Sequence, residues 1–113
     1  MCIFCKIIAK QIPGNFVYED DTVVAFLDIN PKAKVHVLIV PKKHIPTISE
    51  VKDDDQELLG KLFLIARDVA AKEGVSEGYK LIVNNGACAG QVVFHLHIHL
   101  LGGEGLQEGG ALC

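Results

Sequence analysis

The sequence contains no tryptophan, no cluster of lysine and arginine, and no long uninterrupted apolar run. It has 11 basic and 14 acidic side chains, so its formal net charge is -3. An electrostatic nucleic-acid binder needs clustered positive charge to displace the counterions around phosphates. A membrane-spanning helix needs roughly 20 apolar residues, whereas the apolar runs here, such as residues 37–40, are only a few residues long. We therefore expect neither a nucleic-acid partner nor a membrane partner.

The start of the chain, MCIFCKIIAK, lacks a basic leader before its apolar part and is interrupted by Lys6. This pattern does not indicate a secretory signal peptide, so we expect a cytoplasmic protein. In that compartment the cysteines are expected to be thiols or metal ligands rather than disulfides. Cys88 and Cys113 have no partner at a recognisable spacing, and both are predicted to be free thiols.

Half of the 113 residues are hydrophobic, which is too large a fraction for a disordered chain, and the length leaves room for one core. We therefore expect a single domain over residues 1–113. The glycine-rich segment at residues 104–113 is expected to be a mobile tail.

Turn-forming clusters divide the chain into short elements. A short helix is predicted at residues 3–10, and a long one at residues 53–73, where apolar side chains recur at helical spacing. The predicted strands cover residues 16–19, 22–27, 35–40, 79–83 and 92–101. Most successive strands lack the crossover helix that parallel pairing needs. The expected fold is α+β, with an antiparallel five-stranded sheet, one long helix and one short helix.

Histidine is the residue type that stands out, because three of the five histidines alternate in FHLHIHL at residues 94–100. Successive side chains of a strand point to opposite faces, so His95, His97 and His99 are predicted to share one face, while Phe94 and the other apolar residues anchor the opposite face. A solvated face that carries histidine by chance is the simplest alternative. Two chemistries use such a row: zinc coordination, and nucleophilic attack by a neutral imidazole.

The loop before this strand, residues 84–91, contains glycine and asparagine. Its backbone N–H groups are candidates for an anion-binding concavity, which favours a phosphorus centre beside the histidines. An ordinary turn is the alternative. The sequence contains no GxxxxGK[ST] motif, so a kinase or a nucleoside triphosphate motor has no support.

Three segments resemble the histidine triad (HIT) family of nucleotide hydrolases and transferases: HLHIHLL at residues 95–101, VHVLIVPKKH at residues 35–44 and CIFCKIIAKQIP at residues 2–13. The resemblance extends from about residue 2 to residue 103. Residues 26–36 and the Leu-Gly-Gly after the triad resemble the Hint branch, the purine nucleoside phosphoramidases. His99 stands where the transferase branch has glutamine, which implies hydrolysis. The resemblance also implies a homodimer and a reaction that requires no metal cofactor.

Matched residue by residue, the resemblance assigns catalytic roles to four histidines. His97 would attack the α-phosphorus of a purine nucleoside 5′-phosphoramidate, an AMP-linked amine, to form a nucleotidyl-histidine that water cleaves. His95 would fix the tautomer of His97, His99 would contact the phosphate, and His36 would complete a proton relay. The rival hypothesis is a nucleotide-binding interaction module with weak or vestigial catalysis.

The same resemblance implies contacts with a purine nucleoside monophosphate. Asp28 would accept both ribose hydroxyls, although a turn-forming role is its alternative. The apolar slot for the base would be formed by Ile3, Phe4, Phe26, Ile29 and Leu38. Ribose and phosphate contacts would come from Asn84, Gly90, Gln91, Val92, His97 and His99, partly through backbone N–H groups. Val92 stands where the Hint branch often has a hydroxyl residue, so only the backbone N–H remains at that contact.

Cys2 and Cys5 have the spacing of a zinc half-site. Some bacterial-type members of the family resemble this chain in holding zinc with such a pair and two histidines. The resemblance therefore implies a structural zinc ion on Cys2, Cys5, His44 and His95. Two packed thiols without a metal are the alternative. A further hypothesis is that the histidine triad itself coordinates a metal.

Overall fold

A computed structural model describes residues 2–103 of the chain. Its core is a five-stranded antiparallel sheet in the order β1-β2-β3-β5-β4. The strands are β1 (Phe16–Glu19), β2 (Val23–Leu27), β3 (Val35–Pro41), β4 (Tyr79–Ile82) and β5 (Ile98–Gly102). The helices are α1 (Ile3–Ile8) and α2 (Gln56–Lys72), and short 3-10 turns occur at Ile48–Glu50, Asp53–Asp55 and Ala87–Ala89. The predicted α+β fold, with one long and one short helix, is confirmed.

The central strands are mostly apolar, with His36 in β3 and His99 in β5 as exceptions, because a helix packs on each face of the sheet. On one face, Val23 and Ala25 of β2 belong to the core that includes the apolar side of α2. On the other face, Val24 and Phe26 pack in a smaller cluster with Phe4 of α1. Since side chains alternate along a strand, the single run VVAFL supplies two separate cores. Helix α1 therefore lies on the opposite side of the sheet from α2.

Helix α2 begins later than the sequence predicts, because residues 53–55 form a 3-10 turn. Asp55 in this turn is buried, and its carboxylate accepts hydrogen bonds from the Lys43 ammonium at 2.6 Å and the Lys52 backbone N–H at 2.9 Å. The helix buries Leu62, Ile65, Ala66, Val69 and Ala70 against the sheet. Among the described residues, no helix is long and apolar enough to cross a membrane.

The last strand is shorter than predicted: β5 begins at Ile98, and residues 92–97 are not part of the sheet. The segment before β5 is hydrogen-bonded to the chain after β3 instead, since the Leu96 backbone N–H donates to the Ile45 carbonyl at 2.6 Å. His95 and His97 are therefore outside the strand, and the prediction that three histidines share one strand face is wrong. Phe94, expected in the core, is 44% exposed.

Cys88 is disulfide-bonded, so the prediction of a free thiol is wrong at that position. Cys2 and Cys5 are free cysteines, as expected. The predicted thiol at Cys113 and the predicted tail at residues 104–113 lie outside the described residues.

Candidate functional site

A cavity of about 830 Å³ opens between α1, the ends of β2 and β3, and the histidine segment. Its lining is mostly apolar, with Ile3, Phe4 and Phe26 among the side chains on that surface. Polar groups from Asp28 and from the histidines converge on the same space. A largely apolar cavity with a few convergent polar groups is the usual form of a small-molecule site.

Most of the residues predicted to contact a nucleotide line this one cavity. They are Ile3, Phe4, Phe26, Asp28, Ile29, Leu38, Asn84, Gly90, Val92, His97 and His99, together with His36 from the proposed relay. Gln91 and His95 do not line it. The structure thus brings together side chains that are more than 90 positions apart in the sequence.

The tautomer of His97 is set by a backbone carbonyl. Its Nδ1 lies 2.6 Å from the carbonyl oxygen of His95, which can only accept, so Nδ1 carries the proton. The other nitrogen, Nε2, consequently keeps its lone pair. The ring lies edge-on to Phe4 with the ring centroids 5.0 Å apart, and it lines the cavity. His97 is therefore held as a neutral imidazole with a nucleophilic nitrogen.

His36 and His99 form a directional pair. The Lys32 backbone N–H donates to His36 Nδ1 at 3.0 Å, so the proton of His36 sits on Nε2. That Nε2 lies 3.0 Å from His99 Nδ1 and 3.5 Å from an Asp28 carboxylate oxygen. The Nδ1 of His99 accepts, which leaves the His99 proton on Nε2. His99 thus offers a donor beside His97, with a distance of 4.8 Å between the two ring centroids.

Burial keeps these imidazoles uncharged at neutral pH. Desolvation lowers the pKa of His36, His95 and His97 below the ordinary value of 6.5. For His99, burial and the neighbouring histidines lower the pKa to about 4. The histidines that line the cavity are therefore neutral imidazoles rather than a cluster of positive charge.

The comparisons with known proteins agree with this geometry. A family model described as the HIT domain matches residues 9–106. The chain belongs to the HIT family. An uncharacterized HIT-like protein of Synechocystis sp. is 54% identical over 102 residues, which are 90% of this chain and 90% of that protein.

Solved structures of HIT proteins share the fold. A HIT family hydrolase from Legionella pneumophila matches with a TM-score of 0.90 and 50% identity, over 92% of this chain and 94% of that one. A HIT family hydrolase from Clostridium thermocellum matches with a TM-score of 0.93 and 47% identity, over 97% of this chain and 96% of that one.

Gln91 is a positioning residue in this HIT chain, not a group that faces the cavity. Its buried amide oxygen accepts the Gly86 N–H at 2.8 Å, and its amide nitrogen donates to the carbonyls of Pro46 at 2.7 Å and Val93 at 3.1 Å. Its backbone N–H donates to the Gly86 carbonyl. The predicted direct nucleotide contact is therefore corrected, because both the side chain and the backbone donor are already used within the loop.

The neighbouring Gly90 lines the cavity, although its backbone N–H donates to the Ala87 carbonyl at 3.0 Å. Its φ of +92° is strained for any residue with a side chain, which explains the glycine. Val92 is 86% exposed at the cavity, so its side chain contributes little to packing.

His95 faces a second cluster on the other side of its own backbone. Its Nδ1 lies 3.1 Å from His44 Nδ1, 3.4 Å from Cys2 Sγ and 3.5 Å from Cys5 Sγ. Cys5 Sγ also lies 3.4 Å from His44 Nδ1, and the four candidate ligand atoms are all within 4.8 Å of one another. The predicted orientation of His97 by His95 thus comes from the His95 carbonyl rather than its imidazole.

The donor chemistry of this cluster fits zinc. Ligands of a tetrahedral zinc ion lie roughly 3.3–3.8 Å apart if their bonds are 2.0–2.3 Å long. The His95 Nε2–H donates to the Pro41 carbonyl at 2.7 Å, which leaves Nδ1 free to bind a metal. Cys2 Sγ accepts the Cys5 backbone N–H at 3.4 Å, which orients this sulfur toward the cluster.

The hypothesis that the triad itself coordinates a metal is not supported by this geometry. His95, His97 and His99 face three different sets of neighbours. The possible ligand atoms of Asp28, His36 and His99 also lie within 4.8 Å of one another. However, both nitrogens of His36 are engaged in hydrogen bonds, so neither has a lone pair free for a metal.

Two parts of the site were not identified from the sequence. One is the Lys32 backbone N–H, which selects the tautomer of His36. The other is the end of the cavity formed by Ile7, Pro13, Gly14 and Asn15. The type of residue at position 32 does not show that its backbone N–H will donate to a histidine. The turn at residues 13–15 can be predicted, but the sequence does not show which cavity it will line.

Proposed function

We propose that this HIT protein belongs to the Hint branch and hydrolyses the P–N bond of purine nucleoside 5′-phosphoramidates, AMP-linked amines, through a covalent nucleotidyl-histidine at His97. The observation that carries the proposal is the 2.6 Å contact between His97 Nδ1 and the His95 carbonyl. It leaves the Nε2 lone pair available in a cavity whose neighbouring imidazoles are also neutral. The similarity to proteins described as HIT family hydrolases supports a hydrolytic reaction.

In the proposed complex, the base occupies the apolar part of the cavity near Phe4 and Phe26, and Asp28 accepts the ribose hydroxyls. One Asp28 oxygen accepts the Asn30 backbone N–H at 2.7 Å, which fixes the carboxylate in the turn after β2. Each carboxylate oxygen has more than one acceptor site, so a diol can still be bound. This arrangement places the α-phosphate toward the histidines.

The proposed reaction has two displacements at phosphorus. His97 Nε2 attacks and forms a P–N bond to the imidazole, while the P–N bond to the amine breaks and the leaving nitrogen takes a proton from His99 Nε2. His99 regains this proton from solvent, and the Asp28 carboxylate beside His36 stabilises the positive charge that passes along the relay. Water then attacks the nucleotidyl-histidine, the bond between phosphorus and the imidazole breaks, and the proton of the water leaves to solvent through His99, which releases neutral His97 and AMP. No step passes through a metal.

We also propose a structural zinc ion on Cys2, Cys5, His44 and His95. When bound, the ion would supply a cross-link between α1 and the segment that contains His44 and His95. The support is the convergence of two thiols and two imidazole nitrogens within 4.8 Å.

We propose a homodimer on the basis of the family resemblance. Phe63 and Leu64 on α2 are exposed, so apolar surface is available for a second copy. Sedimentation equilibrium is the test, and a monomer at all concentrations would contradict it.

The activity test is incubation with an adenosine 5′-phosphoramidate after treatment with a chelator. Turnover that persists without metal and disappears in His97→Ala supports the proposed mechanism. Tight AMP binding without turnover would instead support an interaction module. Activity that requires added metal would contradict the mechanism.

A further inference from the structure

Helix α1 takes part in two sites at once. Ile3, Phe4 and Ile7 line the nucleotide cavity. Cys2, the N-cap residue, and Cys5 point toward the cluster with His44 and His95. Any change that alters the position of this helix therefore alters both the metal ligands and a wall of the cavity.

A small apolar contact holds α1 against the sheet. The helix has six residues, Phe4 is its one buried side chain, and Ile7 and Ile8 are half-buried against the same cluster. An isolated helix shorter than about 12 residues is marginal in water, so α1 depends on tertiary contacts. Ile3 remains 48% exposed. The contacts of Cys2 and Cys5 with His44 and His95 add a second attachment at the start of the helix.

Two residues connect the cluster directly to the nucleophile. The Phe4 ring lies 6.0 Å from the His95 ring and 5.0 Å from the His97 ring, measured between centroids. The His95 imidazole belongs to the cluster, while its carbonyl accepts from His97 Nδ1. Fixing His95 and α1 therefore also fixes the base-binding wall and the orientation of His97.

We propose that the cluster of Cys2, Cys5, His44 and His95 is coupled to the nucleotide cavity through α1, so that Zn²⁺ binding strengthens nucleotide binding. The proposal rests on the proposed function, since it requires that the cavity bind a nucleoside monophosphate. A metal that orders α1 in advance removes part of the ordering cost that the nucleotide otherwise bears. By linkage, the nucleotide must strengthen Zn²⁺ binding by the same factor.

The test measures binding in both directions, with AMP and Zn²⁺ as the probes and no turnover involved. AMP is titrated calorimetrically into the Zn²⁺-loaded and the metal-free protein. The Zn²⁺ affinity is measured by competition with a chromogenic chelator, with and without saturating AMP. We expect an increase of about tenfold in each affinity, which is within the usual range of coupling between two sites.

Three variants locate the coupling. Cys5→Ser removes one ligand, and its AMP affinity should match that of the metal-free wild type whether or not Zn²⁺ is added. Lys6→Ala is the matched control, because Lys6 is exposed on the same helix and neither lines the cavity nor belongs to the cluster. It should keep the full effect. Phe4→Ala retains all four ligands, and it should bind Zn²⁺ while losing most of the effect on AMP. Circular dichroism checks that each variant is folded.

The outcomes separate the proposals. Equal AMP affinities with and without bound Zn²⁺ overturn the coupling while leaving nucleotide binding intact. Absence of AMP binding in either form overturns both the coupling and the proposed function. Absence of Zn²⁺ binding overturns the coupling and the metal site alone. Unequal effects in the two directions, beyond experimental error, would also contradict a linkage.

Discussion

At the scale of single residues, the chemistry of the cavity depends on which nitrogen of each imidazole carries the proton. The His95 carbonyl leaves the Nε2 lone pair of His97 available, and the Lys32 backbone N–H makes His36 a donor to His99. The sequence identified these histidines, but not their tautomers. The tautomers are selected by a backbone carbonyl and a backbone N–H. Almost every residue type carries both groups, so the sequence does not show which of them will contact a histidine.

The pH dependence of the reaction should report the burial of His97. Protonation removes the lone pair that attacks phosphorus, and burial lowers the pKa of His97 below 6.5. We expect kcat/KM to be constant from pH 8 to about 7 and to fall in an acid limb whose midpoint lies below 6.5. Initial rates measured across pH on protein shown to be folded test this. A midpoint at or above 6.5 would contradict the environment described for His97.

Val92→Ser should raise activity. The side chain at this position is exposed at the cavity, so the change removes little packing and adds a hydroxyl donor near the proposed phosphate position. One well-placed donor to a developing negative charge contributes up to about 10²-fold, and we expect roughly tenfold in kcat/KM. Val92→Ala controls for the loss of the larger side chain. Equal rates for the serine and alanine variants would show that no phosphate oxygen approaches this position.

At the scale of elements, the alternating pattern predicted β5 only in part. Ile98 and Leu100 are buried as alternation requires. Residues 94–97 have the same alternation but lie outside the sheet, where the Leu96 backbone N–H donates to the Ile45 carbonyl. A periodic pattern identifies a strand when the neighbouring strand continues beside it. The pattern cannot show that a distant loop will take over the backbone hydrogen bonds.

The loop before β5 should depend on Gln91. Gln91→Leu leaves the Gly86 N–H and the Pro46 carbonyl without their partner, and a buried unsatisfied group costs about 1–3 kcal/mol. We expect the free energy of unfolding in urea to fall by that amount, and AMP binding to weaken because Gly90 and Val92 lose their support. Glu77→Gln, at an exposed position away from this loop, is the control. A stability equal to that of the wild type would show that the amide is dispensable.

At the scale of the whole molecule, the fold was largely predictable because local patterns and global architecture agree. The run VVAFL at residues 23–27 has one apolar face for α2 and another for α1, and it forms β2 as predicted. The position of α1 was not predictable, since a six-residue amphipathic segment can pack on either face of a sheet. That position decides whether Cys2 and Cys5 meet His44 and His95.

The buried histidines should make the folded state sensitive to acid. In the folded chain the pKa of His36, His95 and His97 lies below 6.5, and that of His99 is about 4. Between 6.5 and these values the unfolded chain binds more protons, so the free energy of unfolding decreases as pH falls. The stability they contribute is fully present above pH 6.5.

We therefore expect Tm to be level from pH 8 to 7 and to decline progressively from pH 6.5 toward pH 4, as measured by differential scanning calorimetry. His99→Gln should show a shallower decline, because one of the groups has been removed. A Tm that stays constant from pH 7 to pH 5 would contradict this account of burial.

The covalent intermediate is the central claim, and rapid-quench mass spectrometry of the protein mixed with an adenosine 5′-phosphoramidate tests it most directly. We predict an AMP adduct that forms within the first turnover, maps to His97 in the peptide containing residues 95–99, and is absent in His97→Ala. Turnover without an adduct, or an adduct on another residue, would contradict the mechanism.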